Sequence, residues 1–113
     1  MSCLFCRIAQ GEIPSTKVYE DDRVLAFRDI NPQAPVHVLV IPKEHLSDLG
    51  GLTPERQALG GHILNVLARL AEQEGLKTQG YRVVTNTGEN AGQSVPHLHF
   101  HLLGGRGFGW PPG

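Results

Sequence analysis

The chain has 113 residues, 40% hydrophobic and 19% charged, with ten Lys and Arg against eleven Asp and Glu for a formal net charge of −1. Those proportions exclude an intrinsically disordered chain and fit one ordinary globular domain over residues 1–113. The near-balanced charge argues against a nucleic-acid or anionic-membrane surface, so an anionic substrate has to be met by local groups.

Residues 1–7 have no basic start and no long apolar core, so they do not read as a secretory signal. The longest apolar run, residues 38–41, is too short to span a bilayer. The expected compartment is the cytoplasm. There, the C-x-x-C spacing of Cys3 and Cys6 points to metal or redox chemistry more than to a structural disulfide. Residues 15–20 read as a strand, Asp21-Asp22 as a turn and residues 24–28 as a second strand, giving a hairpin. The segment Asn31-Pro32-Gln33-Ala34-Pro35 is a loop, because its two prolines bar a helix. Residues 36–41, apolar and β-branched between Pro35 and Pro42, suit a buried central strand.

One long helix follows. Thr53 can cap it, Pro54 suits the first helical position, and Glu55 favours the first turn. Leu59, Ile63, Val66, Leu67 and Leu70 form an apolar stripe, and Gly75 supplies a stop. Gly60-Gly61 costs about 1 kcal/mol per glycine against alanine, which a close backbone contact would explain. Residues 81–85 read as a strand, 88–94 as a small-residue loop and 95–103 as a final long strand. The tail, 104–113, is too rich in glycine and proline to be regular. Without repeats or linkers, this order gives an α+β domain with a mainly antiparallel five-stranded sheet and one long helix.

Half of the six histidines fall within five residues, His97, His99 and His101. On a strand they share one face, and Leu98, Phe100 and Leu102 share the other. Same-face neighbours lie roughly 6.5–7 Å apart, so the imidazoles can line one groove in which one attacks while its neighbour holds a phosphate oxygen. Zinc or copper between two such imidazoles is the competing reading, and no acidic partner stands nearby in sequence. Just upstream, Gly92-Gln93-Ser94 can offer backbone N–H groups and a hydroxyl to an anion.

The run Gly92-Gln93-Ser94-Val95-Pro96-His97-Leu98-His99-Phe100-His101-Leu102-Leu103-Gly104-Gly105-Arg106 resembles the histidine-triad (HIT) superfamily. The ending Trp110-Pro111-Pro112-Gly113 is similar to its Hint branch, the histidine-triad nucleotide-binding proteins. The likeness extends through Glu20-Asp21-Asp22-Arg23, the segment from Asp29 to His37, and Ile41-Pro42-Lys43-Glu44-His45, nearly the whole chain. The resemblance implies a HIT-like fold and a hydrolase of purine nucleoside phosphoramidates, such as adenosine 5′-phosphoramidate. In it, His99 is the nucleophile, forming a nucleotidyl-histidine that water hydrolyses. His101 contacts the α-phosphate, and His37 orients His99. Asp29 binds the ribose hydroxyls, a better neighbour for a carboxylate than phosphate is; its other reading is a residue that opens the turn. Phe5, Ile8, Phe27 and Ile30 wall the base, while Asn86, Gly92, Gln93 and Ser94 hold phosphate and leaving group. Ser94 protonates a departing amine. A histidine at 101, where the transferase branch carries glutamine, favours hydrolysis.

The resemblance further implies a homodimer, with Trp110 either approaching the neighbour's site or serving as a hydrophobic anchor. It also implies a structural zinc on Cys3, Cys6, His45 and His97, and no organic cofactor. His62 reads as a packing or interface residue. Three other functions compete: a dinucleoside polyphosphate hydrolase, a non-enzymatic nucleotide- or protein-binding module, and a metal carrier.

Overall fold

Seven residues, VHVLVIP, set the centre of the molecule. In this computed structural model, which describes residues 3–113, they form the middle strand of a five-stranded antiparallel sheet. Met1 and Ser2, the start of the segment read above for a leader, lie outside the described residues. In chain order the elements are α1 (Leu4–Ala9), β1 (Lys17–Glu20), β2 (Val24–Arg28), β3 (Val36–Pro42), α2 (Gln57–Gln73), β4 (Tyr81–Val84) and β5 (Phe100–Gly104). The sheet order is β1-β2-β3-β5-β4. The expected α+β architecture is therefore present, with its five strands and one long helix.

Both faces of the central strands are covered, which explains their unbroken apolar sequence. On one face Val24, Ala26, Val38, Val40, Phe100 and Leu102 pack against the α2 stripe of Leu59, Ile63, Val66, Leu67 and Leu70. On the other, Leu25, Phe27, Leu39 and Ile41 pack against Phe5 and Ile8 of α1. The first cluster is the main core. The second is smaller and borders the histidines.

Helix α2 ends as its sequence dictates. Gly75 adopts φ +76°, its amide reaches the Glu72 carbonyl and the Leu76 amide reaches that of Ala71, a Schellman closure. Its start differs from expectation. Residues Pro54–Arg56 form a 3₁₀ turn before the α-helix begins, and the Thr53 side chain makes no capping hydrogen bond. The glycine pair has no close packing partner among the described residues: a Cβ at Gly61 would meet nothing within 4 Å, and one at Gly60 only Leu52 Cδ1 at 3.7 Å.

Two further differences bear on the site. Helix α1 was not anticipated. Six residues are too few to show a period, and such a helix holds only through tertiary contacts. The long strand expected over 95–103 is also shorter. Pro96 cannot donate, the His97 amide bonds the Val95 carbonyl, and the Leu98 amide bonds the Leu46 carbonyl at 2.6 Å. These bonds hold the chain off the ladder until Phe100, so only His101 of the three histidines is a strand residue. Among the described residues no helix is long and apolar enough to cross a membrane.

Gly104 closes β5 against the turn after α2. A Cβ there would lie 2.5 and 2.6 Å from the Leu76 methyls and 3.0 Å from Leu76 Cγ, with Leu76 itself buried. Gly104→Ala should cost about 1–3 kcal/mol by overpacking, read as a lower urea midpoint at unchanged slope.

Candidate active site

His99 sits immediately before β5, on the α1 side of the sheet. Its Nδ1 lies 2.7 Å from the His97 carbonyl, with both groups buried. A carbonyl only accepts, so Nδ1 carries the proton and the Nε2 lone pair is left free. The Phe5 ring meets the His99 ring edge-on, centroids 5.1 Å apart at 82°. The His101 ring is also 5.1 Å away, closer than an extended strand predicts. The Thr85 hydroxyl donates to the His99 carbonyl at 2.8 Å.

A second chain of hydrogen bonds fixes His101. The backbone amide of Gln33 donates to His37 Nδ1 at 3.0 Å, so neutral His37 carries its proton on Nε2. That nitrogen lies 2.9 Å from His101 Nδ1 and 3.4 Å from an Asp29 carboxylate oxygen. His101 therefore accepts on Nδ1 and presents an N–H at Nε2. His37 was expected to orient His99, and the geometry corrects this: its partner is His101. The register is the cause. Pairing of His37 with Leu103 and of Leu39 with His101 sets the two histidines diagonally on one face, whereas His99 precedes the ladder. Burial, then the neighbouring His99 and His37, pushes His101 down to about 4. Burial also lowers His37, against the pull of Asp29. Both rings are neutral at physiological pH, as the relay requires.

The remaining expected residues divide. One Asp29 oxygen accepts the Asn31 amide at 2.8 Å and closes the turn, while the other faces His37. Phe5, Ile8 and Phe27 are core residues at the rim of the histidines, whereas Ile30 is fully exposed. Asn86 is half-buried and Ser94 exposed. Gly92 and Gln93 do not offer the free amides expected of them. Their N–H groups bond the Glu89 and Gly88 carbonyls, because the loop folds back on itself. The Gln93 amide side chain spans Gly88, Ser47 and Val95. Trp110 is no anchor within the chain, being 84% exposed at the end of a tail held by Arg82 and Arg106. His62 does more than pack: it pairs with Asp21 at 2.6 Å, away from the triad. The Gln33 amide and Thr85 hydroxyl escaped sequence reasoning, since neither residue type marks such a role.

Two groups of side chains have metal-like spacing among the described residues. In the first, His97 Nδ1 lies 3.3 Å from Cys3 Sγ, 3.5 Å from Cys6 Sγ and 3.1 Å from His45 Nδ1, and Cys6 Sγ lies 3.3 Å from His45 Nδ1. His97 Nε2 donates to the Pro42 carbonyl at 2.9 Å, which leaves the Nδ1 lone pair facing the thiols. That is the wiring of a metal ligand, and two sulfurs with two imidazoles suit tetrahedral zinc. Burial, then Cys3, pushes the Cys6 thiol up to about 11, so a metal must displace its proton. The second group is Asp29, His37 and His101. Here the Gln33 amide places a proton on the nitrogen that faces the cluster, so the wiring is that of a proton relay and not of a metal site.

The His101 shift has a consequence for stability. The unfolded chain takes up a proton near the ordinary 6.5, but the folded protein resists until about 4. The contribution is complete above pH 6.5 and is lost as pH falls through that window. Chemical denaturation of the wild type should weaken between pH 6.5 and 4, and His101→Gln should flatten that slope.

Comparison with known proteins agrees with the geometry. The HIT domain family matches residues 10–108. A 14 kDa zinc-binding protein of Zea mays is 54% identical, over 97% of this chain and 87% of its own. The purine nucleoside phosphoramidase of Escherichia coli K12 is 47% identical, over 94% of this chain and 89% of its own. The crystal structure of a HIT family hydrolase from Legionella pneumophila matches with a TM-score of 0.97 at 53% identity, covering 99% of this chain and 100% of that one. With most of its length matched by the family and its fold shared with that solved hydrolase, the chain belongs to the histidine-triad (HIT) family.

Proposed function

We propose that the protein is a nucleotide hydrolase that cleaves the phosphorus–nitrogen bond of purine nucleoside phosphoramidates through a nucleotidyl-histidine on His99. The observation that carries this reading is the pairing of a free imidazole lone pair on His99 with an N–H on neighbouring His101. His99 Nε2 attacks the α-phosphorus, and the P–N bond breaks as Ser94 supplies a proton to the departing amine. The His97 carbonyl, on Nδ1–H, favours the positive charge that develops on the ring. His101 donates to a non-bridging phosphate oxygen where charge accumulates. Water then attacks the phosphorus and passes a proton back to Ser94 as the bond from phosphorus to His99 breaks, giving a nucleoside monophosphate and restoring both residues.

His37 keeps the proton of His101 facing the substrate. Asp29 takes the ribose hydroxyls, and Phe5, Ile8, Phe27 and Ile30 flank the base. Asn86 assists at phosphate, while Gly92 and Gln93 act by shaping the loop that carries Ser94. Cys3, Cys6, His45 and His97 hold a structural zinc, and no organic cofactor takes part. We place the protein in the cytoplasm, whose reducing poise keeps both thiols available to metal. A second copy of the chain covers the outer face of α2 at Gly61 and Leu64 and the edge strand β4, where Tyr81 and Val83 are exposed. Trp110 then reaches toward the partner's site.

Mass spectrometry after rapid mixing with adenosine 5′-phosphoramidate should find a nucleotidyl adduct on His99. His99→Ala should lower kcat by on the order of 10³-fold or more. Undiminished turnover by that variant, or turnover of dinucleoside polyphosphates alone, would overturn the assignment. Elemental analysis should find one zinc per chain, and Cys6→Ser should lose it.

A further inference from the structure

The nucleophile and the cysteine–histidine centre meet in one residue. His97 turns its ring Nδ1 to Cys3, Cys6 and His45, and its main-chain carbonyl to His99 Nδ1 at 2.7 Å. No strand ladder fixes this carbonyl, because β5 begins only at Phe100. Its peptide unit is held at one end by the Leu98 amide on the Leu46 carbonyl, and residue 97 itself by its side chain, through the Pro42 carbonyl and the thiol cluster, together with the Val95 carbonyl bonded to its amide. A second contact runs in parallel. Phe5 lies between the two cysteines in sequence and touches both imidazoles, 5.1 Å from His99 and 6.0 Å from His97.

We propose that His97 is a positioning residue: metal held by Cys3, Cys6, His45 and His97 sets the orientation and tautomer of His99 through the His97 carbonyl and the Phe5 ring. With the cluster loaded, the N-terminal turn is drawn onto His97, Phe5 is pressed against His99, and the carbonyl keeps the His99 proton on Nδ1. Without metal, two thiols and two imidazoles hold the same space by weak contacts. The Phe5 and His97 rings then gain freedom, the carbonyl is left to the Leu98–Leu46 bond of its peptide unit alone, and the lone pair of His99 no longer faces substrate in every molecule. The centre thus governs the rate of attack through residue 97, which makes no base or ribose contact, and reaches the base only through Phe5. This inference rests on the reading of His99 as nucleophile, yet the tautomer it concerns can be observed without turnover.

The test is long-range ¹H–¹⁵N correlation of the imidazoles in the full-length protein, zinc-loaded and after extraction with a chelator. The loaded protein should show His99 as a pure Nδ1–H tautomer. Extraction should mix in the Nε2–H form and lower kcat about tenfold, with any rise in KM reporting the Phe5 contact to the base. Zinc alone, added back, should restore both. The β5 amide signals report whether the sheet has survived extraction. If they are lost, the comparison moves to Phe5→Leu, which keeps all four ligands and should shift the His99 signals and lower kcat while zinc stays bound. Failure of the protein to bind zinc overturns the proposal. So does a His99 tautomer that is indifferent to zinc or to Phe5→Leu, whatever the activity. A zinc-dependent tautomer in a protein that cleaves no phosphoramidate would keep the positioning role and overturn only the assigned reaction.

Discussion

A buried carbonyl can accept a proton but cannot give one, and the carbonyl of His97 faces a ring nitrogen of His99 at 2.7 Å. That constraint orders the rest of the site. It assigns the proton of His99 to one nitrogen and the lone pair to the other. It also provides a place for positive charge should the free nitrogen bond an electrophile, as the proposed reaction requires. Fixing this bond requires residue 97 to be immobile, yet Pro96 and the Leu98 bond to Leu46 keep the segment out of the sheet. That same Leu98–Leu46 bond holds the peptide unit that carries the carbonyl, and side chains add the rest: the His97 ring on the Pro42 carbonyl, and the cysteine pair brought over by α1.

The sheet supplies rigidity from below. Strands β2 and β3 are buried on both faces, so the turn that carries Asp29 and the strand that carries His37 start from well-packed positions. One face, under α2, carries the larger core. The other is left half-covered by a single short helix, and the imidazoles occupy the uncovered part. A full second layer would have sealed them from any substrate. Its absence leaves His37 and His99 nearly buried but at the edge of apolar packing, where desolvation holds His37 and His101 in the neutral form that a relay needs.

Much of this was legible in the sequence. The prolines around residues 36–42, the α2 stripe and the Gly75 stop are local signals, and the structure follows them closely. The histidine row pointed to a cluster of imidazoles, and the structure brings His99 and His101 together even though only one of the three lies on a strand. The errors come from contacts that leave no mark in composition, several of them between segments far apart in the chain. His37 was matched to the wrong histidine because its partner is decided by register across 64 residues. Gly92 and Gln93 looked like free donors because their acceptors, in the same loop and beyond it at Ser47, leave no compositional trace. Helix α1 depends on the β2–β3 face it covers, so residues 4–9 alone could not announce it.

The two histidine clusters show why residue type is too coarse a guide to chemistry. Each brings two imidazoles and acidic or thiol groups within 4.8 Å. In one, the outer nitrogen of His97 donates to a carbonyl, so the inner nitrogen is a lone pair ready for a cation. In the other, the outer nitrogen of His37 accepts an amide proton from Gln33, so the inner nitrogen is a donor and repels one. A single backbone group, a C=O at Pro42 or an N–H at Gln33, decides whether the cluster is offered a lone pair or an N–H. The same logic extends to His99, whose reactive nitrogen is chosen by a carbonyl two residues away. In all three rings the polarity of the main-chain partner, and not the imidazole itself, assigns the role.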